Sequence, residues 1–212
     1  MAWMEPQFGY AFAPPCRGGR RTSAMATDLT LEGDLVAQVR DLAARRDINA
    51  AVQRYMRGLD RLDPDLQRSA FHPDATIDCG LMVGGVEEFV AFSQDLLAGM
   101  DATHHMLGQV SLEVDPADGR ASGECYFQAW HRTGNEAEGW RDLFIAGRYL
   151  DAYACRDGEW RIAARTLVTD WVRDDPGTID FFAANPDAPR GGRRGADPSE
   201  NRNRIPIAGE RP

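Results

Sequence analysis

The period of the apolar residues changes near residue 104, and this change limits the folds that the chain can form. Before it, apolar side chains recur every three or four positions, as on one face of a helix. After it, they alternate with polar ones, which predicts four long strands, near 104–114, 120–132, 140–155 and 159–171. Helices followed by consecutive antiparallel strands predict an α+β fold, with the helices packed on one face of a curved sheet.

The helical part of the chain divides into several segments. Apolar spacing predicts a first helix over 32–45 and a second helix that begins after Asp47, a suitable N-cap. A short third helix, a short strand and another amphipathic helix are predicted at 64–70, 76–79 and 86–97.

The length of the predicted strands bears on the shape of the sheet. Strands of this length bend around a core, and a bent sheet that is closed by helices encloses a pocket. The last two strands are separated by Asp157-Gly158, which is typical of a tight hairpin. The sequence therefore predicts a curved sheet with a pocket between it and the helices.

The two ends of the chain differ in composition from the middle. Residues 183–212 are rich in Pro, Gly, Arg, Asp and Asn, and burial of their few apolar side chains cannot offset the entropy of ordering them. Near the N-terminus, Arg20-Arg21 follow an apolar stretch rather than precede one, which is not the order of a secretory signal. We expect a disordered extension over 1–31, one folded domain over 32–182 and a disordered tail over 183–212.

Charge and composition restrict the partners of the protein. The net charge is −9 and the isoelectric point about 4.9, so the surface repels nucleic-acid phosphates and anionic lipids. No apolar run is long enough to span a membrane. We therefore expect neither a nucleic acid nor a membrane as a partner.

Cysteine spacing and the common cofactor motifs give no sign of a metal or cofactor site. The cysteines are far apart, with no Cys-x-x-Cys pair, which favours free thiols in the cytoplasm over a zinc site: Cys16, Cys79, Cys125 and Cys155. The sequence has no P-loop, no Gly-x-Gly-x-x-Gly and no Gly-x-Ser-x-Gly motif. We expect no metal and no cofactor.

Several polar side chains of the predicted domain are candidates for chemistry. Asp60 lies at the margin of the apolar stripe near the end of the second helix, where the helix dipole disfavours a carboxylate. His104 and His105 open the first long strand and point to opposite faces, so only one of them can enter a pocket. Tyr55 lies in the apolar stripe and Arg165 in the last strand. For Asp60 and Arg165 solvent exposure is the alternative, and for Tyr55 core packing.

A series of short motifs runs through the predicted domain in a characteristic order. Their order and spacing resemble the SnoaL-like branch of the nuclear-transport-factor-2-like superfamily over about 33–175. By pattern the chain is most similar to hexachlorocyclohexane dehydrochlorinase, scytalone dehydratase and bile-acid 7α-dehydratase. The motifs are Asp47-Ile48-Asn49-Ala50-Ala51-Val52, Tyr55-Met56-Arg57-Gly58-Leu59-Asp60, Phe71-His72-Pro73-Asp74-Ala75, Thr103-His104-His105, Gly147-Arg148-Tyr149, Arg156-Asp157-Gly158-Glu159-Trp160-Arg161-Ile162 and Asp170-Trp171.

This resemblance implies a fold and a set of site residues. The implied fold is cone-shaped, with a strongly curved antiparallel or mixed sheet packed against N-terminal helices and enclosing a pocket. By position, Asp60 and His105 match the Asp–His pair of these enzymes. Tyr55 matches a tyrosine of the dehydratases, and Arg165 matches an arginine of the bile-acid enzyme.

The same resemblance implies an activity. It is that of a cofactor-independent lyase of the dehydratase or dehydrohalogenase type, or of an isomerase, acting on a small hydrophobic, polycyclic substrate. His105 would be the general base, Asp60 would orient it, and Tyr55 with Arg165 would stabilise charge on an oxygen. The alternative is a non-catalytic member of the fold, either a ligand-binding protein or an accessory subunit. A homodimer or homotrimer that forms through the open sheet face is expected.

Overall fold

The fold consists of helices at the N-terminus followed by a large sheet. The computed structural model describes residues 31–135, 137, 139–177 and 181–204, so the predicted extension over 1–31 lies almost wholly outside the described residues. The elements are α1 (Leu31–Arg61), α2 (Pro64–Arg68), β1 (Phe71–Asp78), β2 (Val83–Gly85), α3 (Val86–Ala98), β3 (Ala102–Asp115), β4 (Arg120–Asn135), β5 (Gly139–Arg156), β6 (Glu159–Pro176), α4 (Phe181–Ala184) and a final 3-10 helix (Pro198–Arg204).

The six strands form one open, mixed sheet in the order β2-β1-β6-β5-β4-β3. The strands β3 to β6 form an antiparallel meander, and β1 joins it through a parallel pairing with β6. The helices α1 and α3 pack against this sheet, and the apolar core lies between the two layers. The predicted α+β cone is therefore confirmed.

Irregularities in the pairing curve the long strands, because a bulge adds a residue to one strand and increases its bend. The register shifts between Leu107 and Val110 of β3, and at Ala146/Gly147 and Ala152/Tyr153 of β5. At Gly147 a side chain would have its Cβ only 2.2 Å from the carbonyl oxygen of Val168, so β6 can approach only a glycine. The resulting curvature leaves a cavity between the sheet and the helices.

The helix α1 is longer than the sequence pattern predicts. The predicted break between a first helix and a second helix starting after Asp47 is wrong, since the helix is continuous from Leu31 to Arg61. An ion pair between Arg45 and Asp41 at 2.7 Å lies one turn apart and supports a continuous helix across this region. Asp47 instead pairs with Arg46 on the helix surface. The apolar residues of the first half of the helix are exposed: Leu35, Val36, Val39 and Leu42.

The end of α1 is shaped by one glycine. A Cβ at Gly58 would lie 2.6 Å from the backbone nitrogen of Gln67, so only glycine lets α2 pack this closely. Asp63 then caps α2 by accepting a hydrogen bond from the Leu66 N–H at 2.9 Å. This tight turn fixes the last turn of α1, where Asp60 lies.

Part of the C-terminal segment contacts the domain, although its composition predicts disorder. Residues 181–204 include α4 and the 3-10 helix, and their hydrogen bonds reach α1, α3 and β3. These contacts are made by charged side chains and backbone groups rather than by apolar burial, and composition therefore does not reveal them. Among the described residues, none of the helices has the length and apolar character to cross a membrane.

Candidate active site

The Asp60 carboxylate and the His105 imidazole are in direct contact. The Oδ1 atom of Asp60 lies 2.7 Å from Nδ1 of His105, and its Oδ2 atom accepts a hydrogen bond from the His105 backbone N–H at 2.9 Å. The side chains are only 9% and 7% exposed, respectively. A carboxylate oxygen accepts hydrogen bonds, so Nδ1 is the donor in this contact and Nε2 is the ring nitrogen that Asp60 leaves free.

A cavity of about 470 Å³ lies on the other side of the His105 ring. Its size is in the range of small-molecule sites, and no Asp, Glu, Lys or Arg is among its lining residues. Asp60 lies behind His105 and does not line this cavity. The lining residues are Tyr55, Leu59, Cys79, Gly80, Leu81, Phe89, Phe92, Ser93, Leu96, Leu97, His105, Phe127, Ala129, His131, Ile145, Tyr149, Leu167, Thr169 and Val172.

Tyr55 is part of both the core and the cavity wall. It is 2% exposed, its ring packs edge-on against Phe71 and Tyr149, and it lines the cavity. Burial raises the pKa of the Tyr55 phenol, and the nearby Arg165 charge only partly opposes this. The phenol therefore stays protonated at neutral pH and can donate a hydrogen bond.

Arg165 does not line the cavity that His105 and Tyr55 line. Its guanidinium is clamped by Asp151, with Nε–Oδ1 and Nη2–Oδ2 distances of 2.8 and 2.6 Å, and both side chains are at most 1% exposed. Its central carbon lies 4.0 Å from the ring centre of Tyr149 and 4.3 Å from that of Tyr55. The structure thus places Arg165 behind the aromatic wall, where it can support Tyr55 but cannot touch a ligand in the cavity.

The charge of Arg165 is secured by its partner. Burial alone would lower the pKa of this guanidinium, but the attraction of Asp151 outweighs it and raises the pKa of Arg165 above its ordinary value. The Nη1 atom is buried and has no hydrogen-bond partner among the described residues. The Asp151–Arg165 ion pair is therefore closed off from solvent, and Arg165 stays charged within it. We call it the sealed pair.

His131 belongs to the site, although its position late in a strand next to a loop predicts exposure. It is 6% exposed, lines the cavity, and has its ring centre 5.2 Å from that of His105 at an angle of 82°. Burial, together with the neighbouring His105, lowers the pKa of His131 to about 4. Alternation along β4 could have predicted that His131 is buried, because it lies on the same face of the strand as the buried Phe127 and Ala129.

His104 points away from the site, as expected for the neighbour of His105 in a strand. It is exposed, and its ring lies 5.9 Å from that of Trp130 on the outer face of the sheet. His104 therefore provides a natural reference for His105. Within the described part of the chain, no group of three or more His, Cys, Asp or Glu side chains could hold a metal ion.

Comparison with known proteins places the chain in a family. A family model for the SnoaL-like domain matches residues 40–166, more than half of the chain. No curated protein sequence matches the chain.

Several solved structures share the fold of this chain. Hexachlorocyclohexane dehydrochlorinase LinA-type3 from Novosphingobium barchaimii LL02 is 18% identical with a TM-score of 0.59, over 68% of this chain and 97% of that one. A protein provisionally assigned as a scytalone dehydratase, from Novosphingobium aromaticivorans DSM 12444, is 20% identical with a TM-score of 0.57, over 68% and 93%. The Kfla4162 protein from Kribbella flavida is 19% identical with a TM-score of 0.56, over 63% and 95%. The fold is that of the nuclear-transport-factor-2-like superfamily, and the chain belongs to its SnoaL-like domain family.

Proposed function

We propose that the protein is a cofactor-independent lyase of the dehydratase or dehydrohalogenase type, or an isomerase, in which His105 removes a proton from carbon. The observation that carries this proposal is the 2.7 Å contact between Asp60 and His105, with the imidazole on the wall of an apolar cavity. Proton transfer of this kind uses only the two side chains. The enzymatic names of two structural neighbours agree with it.

The geometry assigns a part to each member of the pair. With its proton on Nδ1, His105 presents the Nε2 lone pair as a base towards the cavity. When Nε2 takes a proton from a C–H bond, the imidazolium forms beside the Asp60 carboxylate, which stabilises it. In an elimination the C–H electrons form the new double bond and the leaving group departs with its bonding pair. In an isomerisation the proton returns to another carbon.

Two further groups on the cavity wall can act on an oxygen of the substrate. Tyr55 is a buried phenol that stays protonated, so it can donate to a carbonyl or a departing hydroxyl. His131 lines the same wall and is neutral at pH 7, so it adds a polar group without a charge. Arg165 acts on this wall through the rings of Tyr55 and Tyr149, against which it packs.

The cavity favours a neutral, hydrophobic substrate. Its lining is aromatic and aliphatic with a few uncharged polar groups, and its volume of about 470 Å³ suits a small polycyclic ring system. A substrate with an acidic C–H bond next to a carbonyl, and a hydroxyl or halide on the neighbouring carbon, would suit the two chemistries. A free carboxylate or phosphate in this cavity would lack a charged partner.

A homodimer or homotrimer through the outer sheet face is part of the same proposal. This face exposes large apolar side chains that are unusual on a solvated surface: Met106, Tyr126, Trp130, Leu150 and Trp171. The same face supports the second candidate function, an accessory subunit without catalysis. Sedimentation analysis of the purified chain, alone and after Trp130→Lys, separates self-association from a monomer that needs another partner.

The proposed activity can be tested with a panel of hydroxylated and halogenated polycyclic ketones in the absence of any cofactor. We expect loss of water or halide with the unaltered protein and a loss of about 10²–10⁴-fold in kcat/KM for His105→Gln. His104→Gln is the matched control, since it removes the neighbouring, outward-facing histidine. A kcat/KM of His105→Gln equal to that of His104→Gln would contradict the proposal.

A further inference from the structure

A strap of residues 190–200 crosses the outer side of the Asp60–His105 pair, away from the substrate cavity. It follows the residues matched by the family model, which end at 166. Its anchor is the Asp197 carboxylate, which is 8% exposed and accepts hydrogen bonds from Arg61 Nη1 at 2.5 Å and from the Gly192 N–H at 2.7 Å. The strap is thus tied to the residue that directly follows Asp60.

A second contact joins the strap to the backbone of the same residue. The N–H of Arg194 donates to the Arg61 carbonyl oxygen at 2.7 Å, and Arg61 Nη1 also donates to the Gly192 carbonyl at 2.8 Å. Hydrogen bonds from Ser199 and from the Gly192 N–H, with a smaller contribution from the Arg61 charge, lower the pKa of Asp197 below its ordinary value. The anchor therefore stays ionised throughout the neutral range.

Arg193 extends the strap to the other member of the pair. Its Nη1 donates to the Met100 carbonyl at 2.6 Å and to the Leu97 carbonyl at 3.3 Å, at the end of α3. Its Nη2 donates to the Thr103 hydroxyl at 3.2 Å. Thr103 is buried and lies two residues before His105 on β3. Arg193 therefore fixes the start of the strand that carries the imidazole.

Arg193 also brings a positive charge to the outer side of Asp60. The two residues line one cavity of about 470 Å³, which is separate from the substrate-sized cavity that His105 lines. Burial lowers the pKa of Arg193, and the negative charge of Asp60 partly restores it. The described contacts of Arg193 are with two carbonyls and a hydroxyl, so its charge is not cancelled by a hydrogen-bonded carboxylate.

We propose that Arg193 is a positioning residue for the Asp60–His105 pair, acting through Thr103 and through its charge beside Asp60. The strap ties α1 at Arg61 and β3 at Thr103, and these are the two elements whose spacing sets the carboxylate–imidazole distance. Its effect on turnover rests on the proposed function, but its effect on the hydrogen bond between Asp60 and His105 does not.

The test is proton NMR of the full-length protein, without a substrate. A proton shared between His105 Nδ1 and a carboxylate gives a far-downfield resonance, which is assigned by its disappearance in His105→Gln. We expect Arg193→Gln to speed the exchange of this proton with water by about fivefold or more, because the pair opens more often. The matched control is Arg194→Gln, which removes the same charge from an exposed neighbour and should leave the resonance unchanged. Arg193→Lys should restore part of the protection.

A second variant covers the case in which Arg193→Gln does not fold. Thr103→Val keeps the shape of the side chain and removes only the hydroxyl that Arg193 holds, and we expect faster exchange there too. In any substrate that the protein turns over, both variants should lower kcat with little change in KM.

The proposal would be overturned if this proton exchanged no faster in Thr103→Val than in Arg194→Gln. The same holds for Arg193→Gln, if that variant folds. Because the resonance needs no substrate, such a failure is distinguishable from failure of the elimination chemistry. If the unaltered protein turns over a substrate but the variants show unchanged proton exchange, only the positioning role of Arg193 is refuted. If the variants show faster exchange but the unaltered protein turns over no substrate, only the proposed elimination or isomerisation is refuted.

Discussion

The protein buries two pairs of charged or ionisable side chains close to one cavity. In one pair a ring nitrogen is left free beside the cavity, and in the other the charged group lies behind the cavity wall. In the Asp60–His105 pair, the imidazole lines the cavity and its second nitrogen is free of the carboxylate. In the Asp151–Arg165 pair, the guanidinium is held by two hydrogen bonds and lies behind the rings of Tyr55 and Tyr149. Burial alone therefore does not make a catalytic group, since only the first pair can reach a ligand.

The two pairs also differ in how easily they change charge. The attraction of Asp151 raises the pKa of Arg165, so this guanidinium keeps its proton and cannot act as a base. In the first pair the second ring nitrogen of His105 is free of Asp60, so it can take up a proton and give it back. We therefore assign proton transfer to the first pair and stability of the cavity wall to the second.

The largest expected effect is on activity, after Asp60→Asn. The amide has nearly the same shape but cannot stabilise an imidazolium, so kcat/KM should fall by about 10³-fold, within a range of 10²–10⁴. The free energy of unfolding should fall by only about 1 kcal/mol, because the amide oxygen can still accept the backbone N–H of His105. Steady-state kinetics and urea unfolding measure the two effects. A loss of stability without a loss of activity would reverse the roles assigned to the pairs.

The opposite result is expected for Asp151→Asn. It leaves the Arg165 charge buried without its carboxylate, which should lower the free energy of unfolding by about 3–5 kcal/mol. Below the unfolding temperature, kcat should stay close to that of the unaltered protein. Chemical denaturation at pH 7 checks the first statement. A stability change under about 1 kcal/mol would show that the sealed pair does not stabilise the wall.

These contrasts show which parts of the site a sequence can reveal. The period-two pattern predicts the four long strands to within a few residues of their observed ends, because alternation records which face is buried. The contact between Asp60 and His105 came from family resemblance, since the residues are distant in sequence and no local pattern joins them. Their meeting depends on how α1 packs against β3.

Arg165 illustrates what the sequence cannot reveal. Strict alternation places it on the face opposite to Ile162, yet both are buried. The register shift at Ala152/Tyr153 adds a residue to β6 between them and reverses the alternation. The shift places Arg165 directly opposite Asp151 on the neighbouring strand β5. The sequence around either residue does not predict this pairing. The strap is hidden for a similar reason, because its contacts are polar and long-range.

A third, smaller effect concerns His131, which lies against the first pair without a carboxylate of its own. Its pKa is lowered from the ordinary 6.5 to about 4, so the folded protein favours the neutral ring. This contribution to stability is fully present above pH 6.5 and is lost as the pH falls through 4. When the pH is lowered from 7 to 4.5, the free energy of unfolding of His131→Leu should fall by about 2–3 kcal/mol less than that of the unaltered protein.

Urea unfolding of the His131→Leu and unaltered proteins at the two pH values measures this difference. Equal pH dependence in the His131→Leu and unaltered proteins would mean that His131 is solvated in the folded state, contrary to its position on the cavity wall.

The smallest effect is expected at an arginine of the outer sheet face. Arg148 forms ion pairs with Glu124 and Asp170, but these carboxylates are more than a third exposed. Solvent screening limits such pairs, so of these variants Arg148→Gln should change the free energy of unfolding the least. Salt should reduce even this difference. If Arg148→Gln lowered the free energy of unfolding as much as Asp151→Asn does, buried and exposed ion pairs would not differ in their contribution to stability.

The central claim is that His105 removes a proton from carbon, and deuterium exchange tests it without a leaving group. Saturated polycyclic ketones are incubated with the protein in D₂O, and deuterium at the carbon next to the carbonyl is measured by mass spectrometry. We expect the unaltered protein and His104→Gln to speed this exchange, and His105→Gln to reduce it to the rate without protein. Exchange that is equal in the unaltered and His105→Gln proteins, or accelerated by neither, would contradict the account.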